Sequence, residues 1–324
     1  MIELYLTSRE GTKDITALAE SVQWSGDKAS VCRKITVSLL HREDRGWPTP
    51  EEGDVMTLTD GEGTLFTGLV VRSSQDSEDE RMSCVCYDRG VYLRNNDGTY
   101  NFWGAGPETI ARQVCADHDI PVAELAATGI RLDRKFSGVP LDKIITTAYS
   151  LAADQTGERY AVAMTAEGLR VRTREQSAAS INLRPRSNLI RASTIRSIEH
   201  MVNAVAILDA QGQVLDTISD QAAVDLYGQM RRHITQRSGE DAAARARAML
   251  EDGARSQTVT VEVLGDRRLI TGETVVVEEE STGLQGIFWI DADTHVWKNN
   301  IYRCKLTLNC RSVMVKSNAG SDLK

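Results

Sequence analysis

One short β pattern occurs twice in this chain, and it limits the possible folds more than any other feature. The first copy runs Glu52-Gly53-Asp54-Val55-Met56-Thr57-Leu58, then Leu65-Phe66-Thr67-Gly68-Leu69-Val70-Val71, and closes with Met82-Ser83-Cys84-Val85-Cys86-Tyr87. The second runs Thr271-Gly272-Glu273-Thr274-Val275-Val276-Val277, then Leu284-Gln285-Gly286-Ile287-Phe288-Trp289-Ile290, and closes with Tyr302-Arg303-Cys304-Lys305-Leu306-Thr307-Leu308. Its glycines are 15 apart in one copy (53 to 68) and 14 apart in the other (272 to 286). An alternating strand precedes each copy, Arg33 to Leu40 and Thr258 to Leu264. Alternation at period two with closely spaced turn signals is the pattern of a small barrel. Two barrels in one chain are therefore expected, and repeated units of this kind lend themselves to rings.

At 324 residues the chain exceeds the length at which one core usually stops growing, so more than one domain is expected. Residues 1–90 read as the first barrel. From Pro107 the period becomes helical, with Ile110, Ala111, Val114 and Cys115 on one face. A second helix starts near Pro140 and stops at Gly157, and a hairpin has arms Arg159 to Met164 and Gly168 to Arg174. Residues 91–180 thus read as an α/β insertion. Residues 181–255 read as bridging strands and helices: a short helix near Ile198 to Asn203, a hairpin about Gly212, a helix capped by Ser219 or Asp220 and running to about Thr235, and another after a capping box at Ser238 to Asp241. Residues 256–315 form the second barrel, completed by strands from 181–218, and the polar tail 316–324 is expected to fray. The fold class is mainly β with an α+β insertion.

No apolar run is long enough to span a bilayer, and Met1 to Leu6 alternates like a strand, so neither a membrane protein nor a Sec-exported one is expected. Of six cysteines, Cys84, Cys86, Cys304 and Cys310 fall in expected strands and none is in a Cys-x-x-Cys pair, which suggests reduced thiols from cytoplasmic synthesis.

Catalysis needs titratable groups that converge, and the five histidines (41, 118, 200, 233, 295) are scattered. Cys115 and His118 are better read as a packed thiol and an exposed imidazole than as a metal pair. The acidic runs Asp76 to Glu80 and Glu278-Glu279-Glu280 could serve a cell-wall hydrolase, but they read as solvated charges that protect strand edges. No catalytic residue, metal site or cofactor is expected. The net charge of -8 disfavours a general nucleic-acid binder. One basic stretch stands against it: Arg170, Arg172, Arg174, Arg184, Arg186, Arg191 and Arg196, with Glu175 as the lone acid. Alternate residues share a face of a strand, so Arg170, Arg172 and Arg174, then Arg184 and Arg186, form a row that could hold an acidic partner or simply be a wet sheet face. Gly53 with Asp54, and Gly272 with Glu273, read as tight turns entering strands, and Gly68 and Gly286 as bends within strands.

The ordered series Val22 to Asp27, Arg33 to Val37, Gly53-Asp54-Val55, Leu65 to Gly68 and Cys86-Tyr87-Asp88-Arg89-Gly90-Val91-Tyr92-Leu93 resembles the XkdQ/YqbQ-type tail hub proteins of contractile phages, defective prophages and phage-tail-like bacteriocins. Ile110 to Ile120, Ser150 to Tyr160, Ile198 to Val205 and Ala242 to Leu250 continue the likeness over nearly the whole chain. The resemblance implies a baseplate hub: two tail-tube-like barrels per chain, a homotrimer matching a hexameric tube above and a spike below, contacts with other baseplate proteins, and a location in a virion or bacteriocin particle assembled in a bacterial cytoplasm. DNA would pass through an acidic to neutral lumen without specific binding, since a basic wall would retain it. A particle-borne wall hydrolase and a host-receptor binding module are the alternatives. The second predicts clustered aromatics, whereas the five tryptophans (24, 47, 103, 289, 297) are dispersed.

Overall fold

The computed structural model describes residues 2–42, 46–76, 80–174, 181–236, 241–310 and 314–323. The chain divides into two compact units, Met1–Ala192 with Thr260–Lys324, and Ser193–Val259.

The first stretch gives seven strands: β1 Glu3–Ser8, β2 Gly11–Asp14, β3 Ala19–Asp27, β4 Lys34–Leu40, β5 Val55–Asp60, β6 Gly63–Gln75 and β7 Arg81–Tyr87. Inward side chains at alternate positions, among them Leu4, Leu6, Val22, Ile35, Val37, Met56, Leu58, Phe66, Val70 and Cys84, build one core, so the sheet curls over its own face.

After β7 comes the α/β segment: α1 Gly90–Asn95, β8 Asp97–Ala105, α2 Pro107–Ala116, β9 Val122–Leu125, β10 Leu132–Pro140, α3 Leu141–Thr156, β11 Tyr160–Thr165 and β12 Gly168–Thr173. Pro107 occupies the first turn of α2 as expected, and Gly157, at φ 80°, ends α3 by donating its N–H to Ala153 O at 2.9 Å. The apolar faces of α2 and α3 meet in a second core around Ile110, Val114, Phe136, Ile144 and Tyr149.

Two strands follow, β13 Asn182–Leu183 and β14 Leu189–Ser197, and the chain passes along β14 into the smaller unit. There β15 Ala204–Leu208 lies between β16 Val214–Ser219 and, in parallel, β17 Arg231–Thr235, with α4 Gln221–Tyr227 and α5 Ala242–Asp252. Val205, Ile207, Ile234, Ala242 and Ala246 form its core. Two expectations change here. Ile198 to Asn203 is a turn, because Asn203 is taken up elsewhere: its amide donates to Gly228 O and its carbonyl accepts from Met230 N–H, both at 2.7 Å. The helix from Asp220 ends at Tyr227 before Gly228, at φ 79°, and the remainder becomes β17. Of the expected capping box, Ser238 to Glu240 lie outside the described residues, while Asp241 caps α5 by accepting from Ala244 N–H.

The chain then returns with β18 Ser256–Leu264, β19 Thr274–Glu279, β20 Leu284–Lys298 and β21 Ile301–Asn309. Both β copies belong to one 13-stranded sheet, ordered β14-β18-β21-β20-β3-β4-β7-β6-β5-β1-β2, with β19 on β20 and β13 on β19. The expectation of two separate barrels, each closed or nearly closed, changes in one respect: the copies are fused at β20 and β3, and no pairing among the described strands closes either. The 15 residues of β20 explain the fusion. Its first half pairs with β19 (Thr274↔Trp289 to Glu279↔Leu284), and its second half with β3 (Ala292↔Asp27 to Lys298↔Ser21).

Part of the polar tail is paired. A short β22, Ser321–Asp322, pairs with β10, and the Arg134 guanidinium donates to Ala319 O, Asn318 and Asp322.

Candidate functional site at the joint of the two copies

The two copies match bond for bond at their turns. Gly53 N–H donates to Val70 O at 3.0 Å and Asp54 O accepts from Val70 N–H at 2.8 Å; Gly272 N–H donates to Ile290 O at 3.0 Å and Glu273 O accepts from Ile290 N–H at 2.9 Å. Gly53 and Gly272 have φ of 100° and 95°, a region that side chains disfavour. One residue beyond Val70 and Ile290 both copies bulge, between Val70 and Arg72 of β6 opposite β7, and between Ile290 and Ala292 of β20 opposite β21. In this alignment Gly68 and Gly286 are not counterparts. Gly68 faces Met56, and a Cβ there would lie 2.3 Å from Tyr87 O and 2.4 Å from the Phe66 ring. Gly286 faces Val277, has φ 118°, and has open space around it.

A polar exchange marks the same place in each copy. Three residues past Val70, Ser73 gives its N–H (3.0 Å) and hydroxyl to Glu52. Three past Ile290, the carboxylate sits on the other partner: Asp293 accepts from Thr271 N–H and Oγ1, each at 2.6 Å.

Asp293 is the centre of the joint. Arg33, at the entry to β4 of the first copy, donates from Nη1 to its Oδ1 at 3.0 Å and from Nη2 to its Oδ2, and both residues are buried. Burial pushes the Asp293 carboxyl up, but the Arg33 charge and hydrogen bonds from His295 and Arg33 outweigh it and hold it well below the usual carboxylate range. The Arg33 guanidinium also lies 4.1 Å from the centre of the Trp24 ring. Fully buried His295 has Nε2 3.1 Å from Leu269 O, which only accepts, so that nitrogen carries a proton, and Nδ1 lies 2.7 Å from the Tyr302 hydroxyl and 3.1 Å from Cys304 Sγ. Arg33 N–H and Gly90 N–H both donate to Asp88 at 2.9 Å, yet burial dominates and raises this carboxyl to about 7.

The arginine row lies largely against carboxylates of the second copy. Arg170 meets Glu273 at 3.2 Å, Arg174 meets Asp291 at 3.2 Å, and Arg184 grips Glu278 through two bonds of 2.8 Å. Arg172 pairs with Glu124 at 2.5 Å, and Arg186 is exposed on a turn with φ 62°. Asp291, the bulge residue of β20, also accepts from Lys28 at 2.5 Å and Asn309 at 3.1 Å. The bulge turns an otherwise outward position toward three donors. Asp54 serves its own turn, accepting from Glu51 N–H at 3.0 Å.

Catalytic groups do not converge here. Hydrogen bonds from Ser281 and Thr282 hold Glu279 down to about 2, while its neighbour Glu278 is bound to Arg184. Of the other acidic run, residues 77–79 lie outside the described residues, as does Glu175. Burial pushes Cys32 up to about 11, and Cys115 and Cys304 each up to about 12, so these thiols stay protonated and poorly nucleophilic at neutral pH. Among the described residues no group of three or more His, Cys, Asp or Glu could hold a metal ion, and no helix is long and apolar enough to cross a membrane. Sequence reasoning missed Arg33, Asp293 and His295. Period two from Phe288 and Ile290 would place Asp293 and His295 on the outward face; the bulge at Asp291 shifts the phase and buries them, and the alternation alone does not reveal that shift.

The sequence profile of the YQBQ-like family matches residues 22–309, a span that includes both copies and everything between them. The chain belongs to the YQBQ-like family. A relative, the phage-like element PBSX protein XkdQ of Bacillus subtilis (strain 168), is 22% identical over 308 residues, 92% of this chain and 94% of the relative. The 43 kDa tail protein of prophage MuSo2 from Shewanella oneidensis superposes with a TM-score of 0.72 at 14% identity, covering 94% of this chain and 97% of that one. The E. coli c3393 protein, a component of the type VI secretion system similar to phage T4 tail proteins gp27 and gp5, superposes with a TM-score of 0.54 at 10% identity over 94% of this chain and 76% of its own. At these identities the likeness is one of fold.

Proposed function

We propose that this YQBQ-like chain is a non-enzymatic structural hub of a contractile tail baseplate, where copies of it form a ring between tail tube and central spike. The observation that carries the reading is the doubled β motif, joined at β20 and β3 into one sheet. Three such chains present six similar units, so a threefold object matches a sixfold tube on one side and a threefold spike on the other. In this reading residues 1–90 and 256–315 are the two tube-like domains, each completing its barrel-like shape within the ring, 91–180 is lateral decoration, and 181–255 bridges them. The tail and type VI components that share the fold support it, as does the relative encoded in a phage-like element. The particle is then the place of action, with tube, spike and other baseplate proteins as partners.

The arginine row fits this role as internal bracing. Arg170, Arg174 and Arg184 are bound to Glu273, Asp291 and Glu278, so these three would add little basic charge to a channel that passing DNA must cross. Measuring the mass of the purified chain, alone and then with its spike partner, tests the hub: a trimer in either condition is expected, and a stable dimer in both rules out the six-unit ring. Turnover of peptidoglycan by the purified chain would instead establish the hydrolase reading.

A further inference from the structure

The two copies differ in one respect: among the described residues, two strand edges that are covered in one copy are open in the other. In the second copy the distal half of β20, from Ala292 to Lys298, has β21 on one side and β3 on the other. In the first copy the distal half of β6, from Arg72 to Gln75, has β7 on one side, while β5 ends its pairing at Leu69. The other flank carries no strand among the described residues, and the Ser73 N–H is satisfied by the Glu52 side chain. The second edge is β14. Its counterpart is β3: the first copy is ordered β3-β4-β7-β6 and the second β14-β18-β21-β20. Where β3 has β4 and β20 for neighbours, β14 has β18 and then the end of the sheet. That end strand exposes Ile190 by 45% and Ile195 by 64%, apolar surface that an isolated edge would be expected to hide.

We infer that β14 of one chain pairs with the distal half of β6 in a second copy of the chain, repeating between molecules the β3 to β20 joint seen within one. Each chain then offers one edge of each kind, a head-to-tail arrangement that forms a ring when the rotation closes. The partner is fixed by the repeat itself, because the covered version of the same joint exists in the same chain. By that correspondence the new joint is antiparallel, as is Ala292↔Asp27 to Lys298↔Ser21. Main-chain bonds supply its affinity, as in other strand additions. Ser73 and Glu52 stand where Asp293 and Thr271 stand, so the carboxylate sits on the other partner. The intermolecular joint therefore lacks the buried Arg33 to Asp293 clamp and is the weaker of the two. This inference rests on the proposal that copies of the chain form a ring, and it names the edges that meet.

The test is a cysteine walk on the full chain. With exposed Cys310 replaced by serine, Ser74→Cys is combined with a cysteine placed in turn at each position from Ala192 to Arg196, and the protein is oxidised at high concentration while its mass is measured in parallel. Ser74 lies four residues past Val70, as Thr294 lies four past Ile290, so it stands where Thr294 meets Ser25 in the inner joint. The expected result is reducible interchain species, two and three times the chain mass, whose yield alternates with period two along β14. Random collisions would give no alternation. A chain that assembles as a trimer by mass but shows no alternating cross-link overturns the pairing and leaves the ring intact. A chain that is monomeric or dimeric by mass at the same concentration and gives no cross-link overturns both.

Discussion

Arg33 and Asp293 are 260 residues apart in sequence and form a two-pronged ion pair with both side chains buried, one from each β copy. A buried pair of this geometry gains little over an apolar replacement, but breaking one side leaves an uncompensated charge in the interior. Asp293→Asn and Arg33→Met are each expected to lower stability by about 3–5 kcal/mol in urea unfolding. The double variant should lose less than the sum of the two. Additive losses would mean that Arg33 acts mainly through the Trp24 ring.

Two carboxylates near this joint have opposite pH signatures. Asp293 is held below the usual range when folded, so its contribution is present above the unfolded value, about 4, and is lost as pH falls below it. Asp88 is raised to about 7, so its contribution is full below about 4 and is lost as pH rises from there to about 7. Thermal midpoints of the wild-type chain and Asp88→Asn, recorded from pH 4 to 8, should therefore converge or cross: the wild type loses ground by up to about 1.4 kcal/mol per pH unit across that interval and no further above it. A constant difference between the two proteins over the whole range contradicts a raised Asp88.

The four repeat glycines should respond differently to alanine. At Gly68 a Cβ would meet the Tyr87 carbonyl oxygen at 2.3 Å, a main-chain atom that cannot turn aside, and the strand must move. At Gly53, Gly272 and Gly286 the space tolerates a methyl group but φ does not, a strain of about 1–3 kcal/mol. Gly68→Ala is expected to be the most destabilising of the four in chemical denaturation. Equal losses at all four would place backbone conformation above packing throughout.

These glycines also show how far the sequence could be read. The β pattern, the helices at Pro107 and Leu141 and the hairpin of β11 and β12 are local, and period and turn chemistry reveal them. The similar spacing from Gly53 to Gly68 and from Gly272 to Gly286 suggested equivalent positions, but counterparts are set by hydrogen bonds to Val70 and Ile290, and a spacing alone does not carry register. The pairing of β20 with β3 is less legible still. Nothing in the alternation of Leu284 to Lys298 says that its two halves have different neighbours. The same holds for Arg33 and Asp293, whose meeting depends on that pairing. In the smaller unit, β17 was hidden because a parallel partner far along the chain, β15, decides between strand and helix.

The arginine row separates into members with different costs. Arg174 is nearly fully buried and meets Asp291 on the bulge, and burial lowers its pKa while the carboxylate beside it opposes the shift. Arg174→Met removes the cation and leaves Asp291 with Lys28 and Asn309, so a loss of about 3 kcal/mol is expected, at the lower end of the range for a broken buried pair. Arg184 pairs with Glu278 in the open, and Arg184→Ala should cost under about 1 kcal/mol and less at high salt. Arg186→Ala, exposed on its turn, should leave the denaturation midpoint unchanged. If the exposed part of the row were instead a binding face for an acidic partner, Arg184→Ala and Arg186→Ala would weaken capture of that partner without shifting the midpoint. Paired measurements of unfolding and of assembly with tube and spike proteins on the same three variants therefore distinguish internal bracing from docking, and the order Arg174, Arg184, Arg186 in stability loss is the signature of bracing.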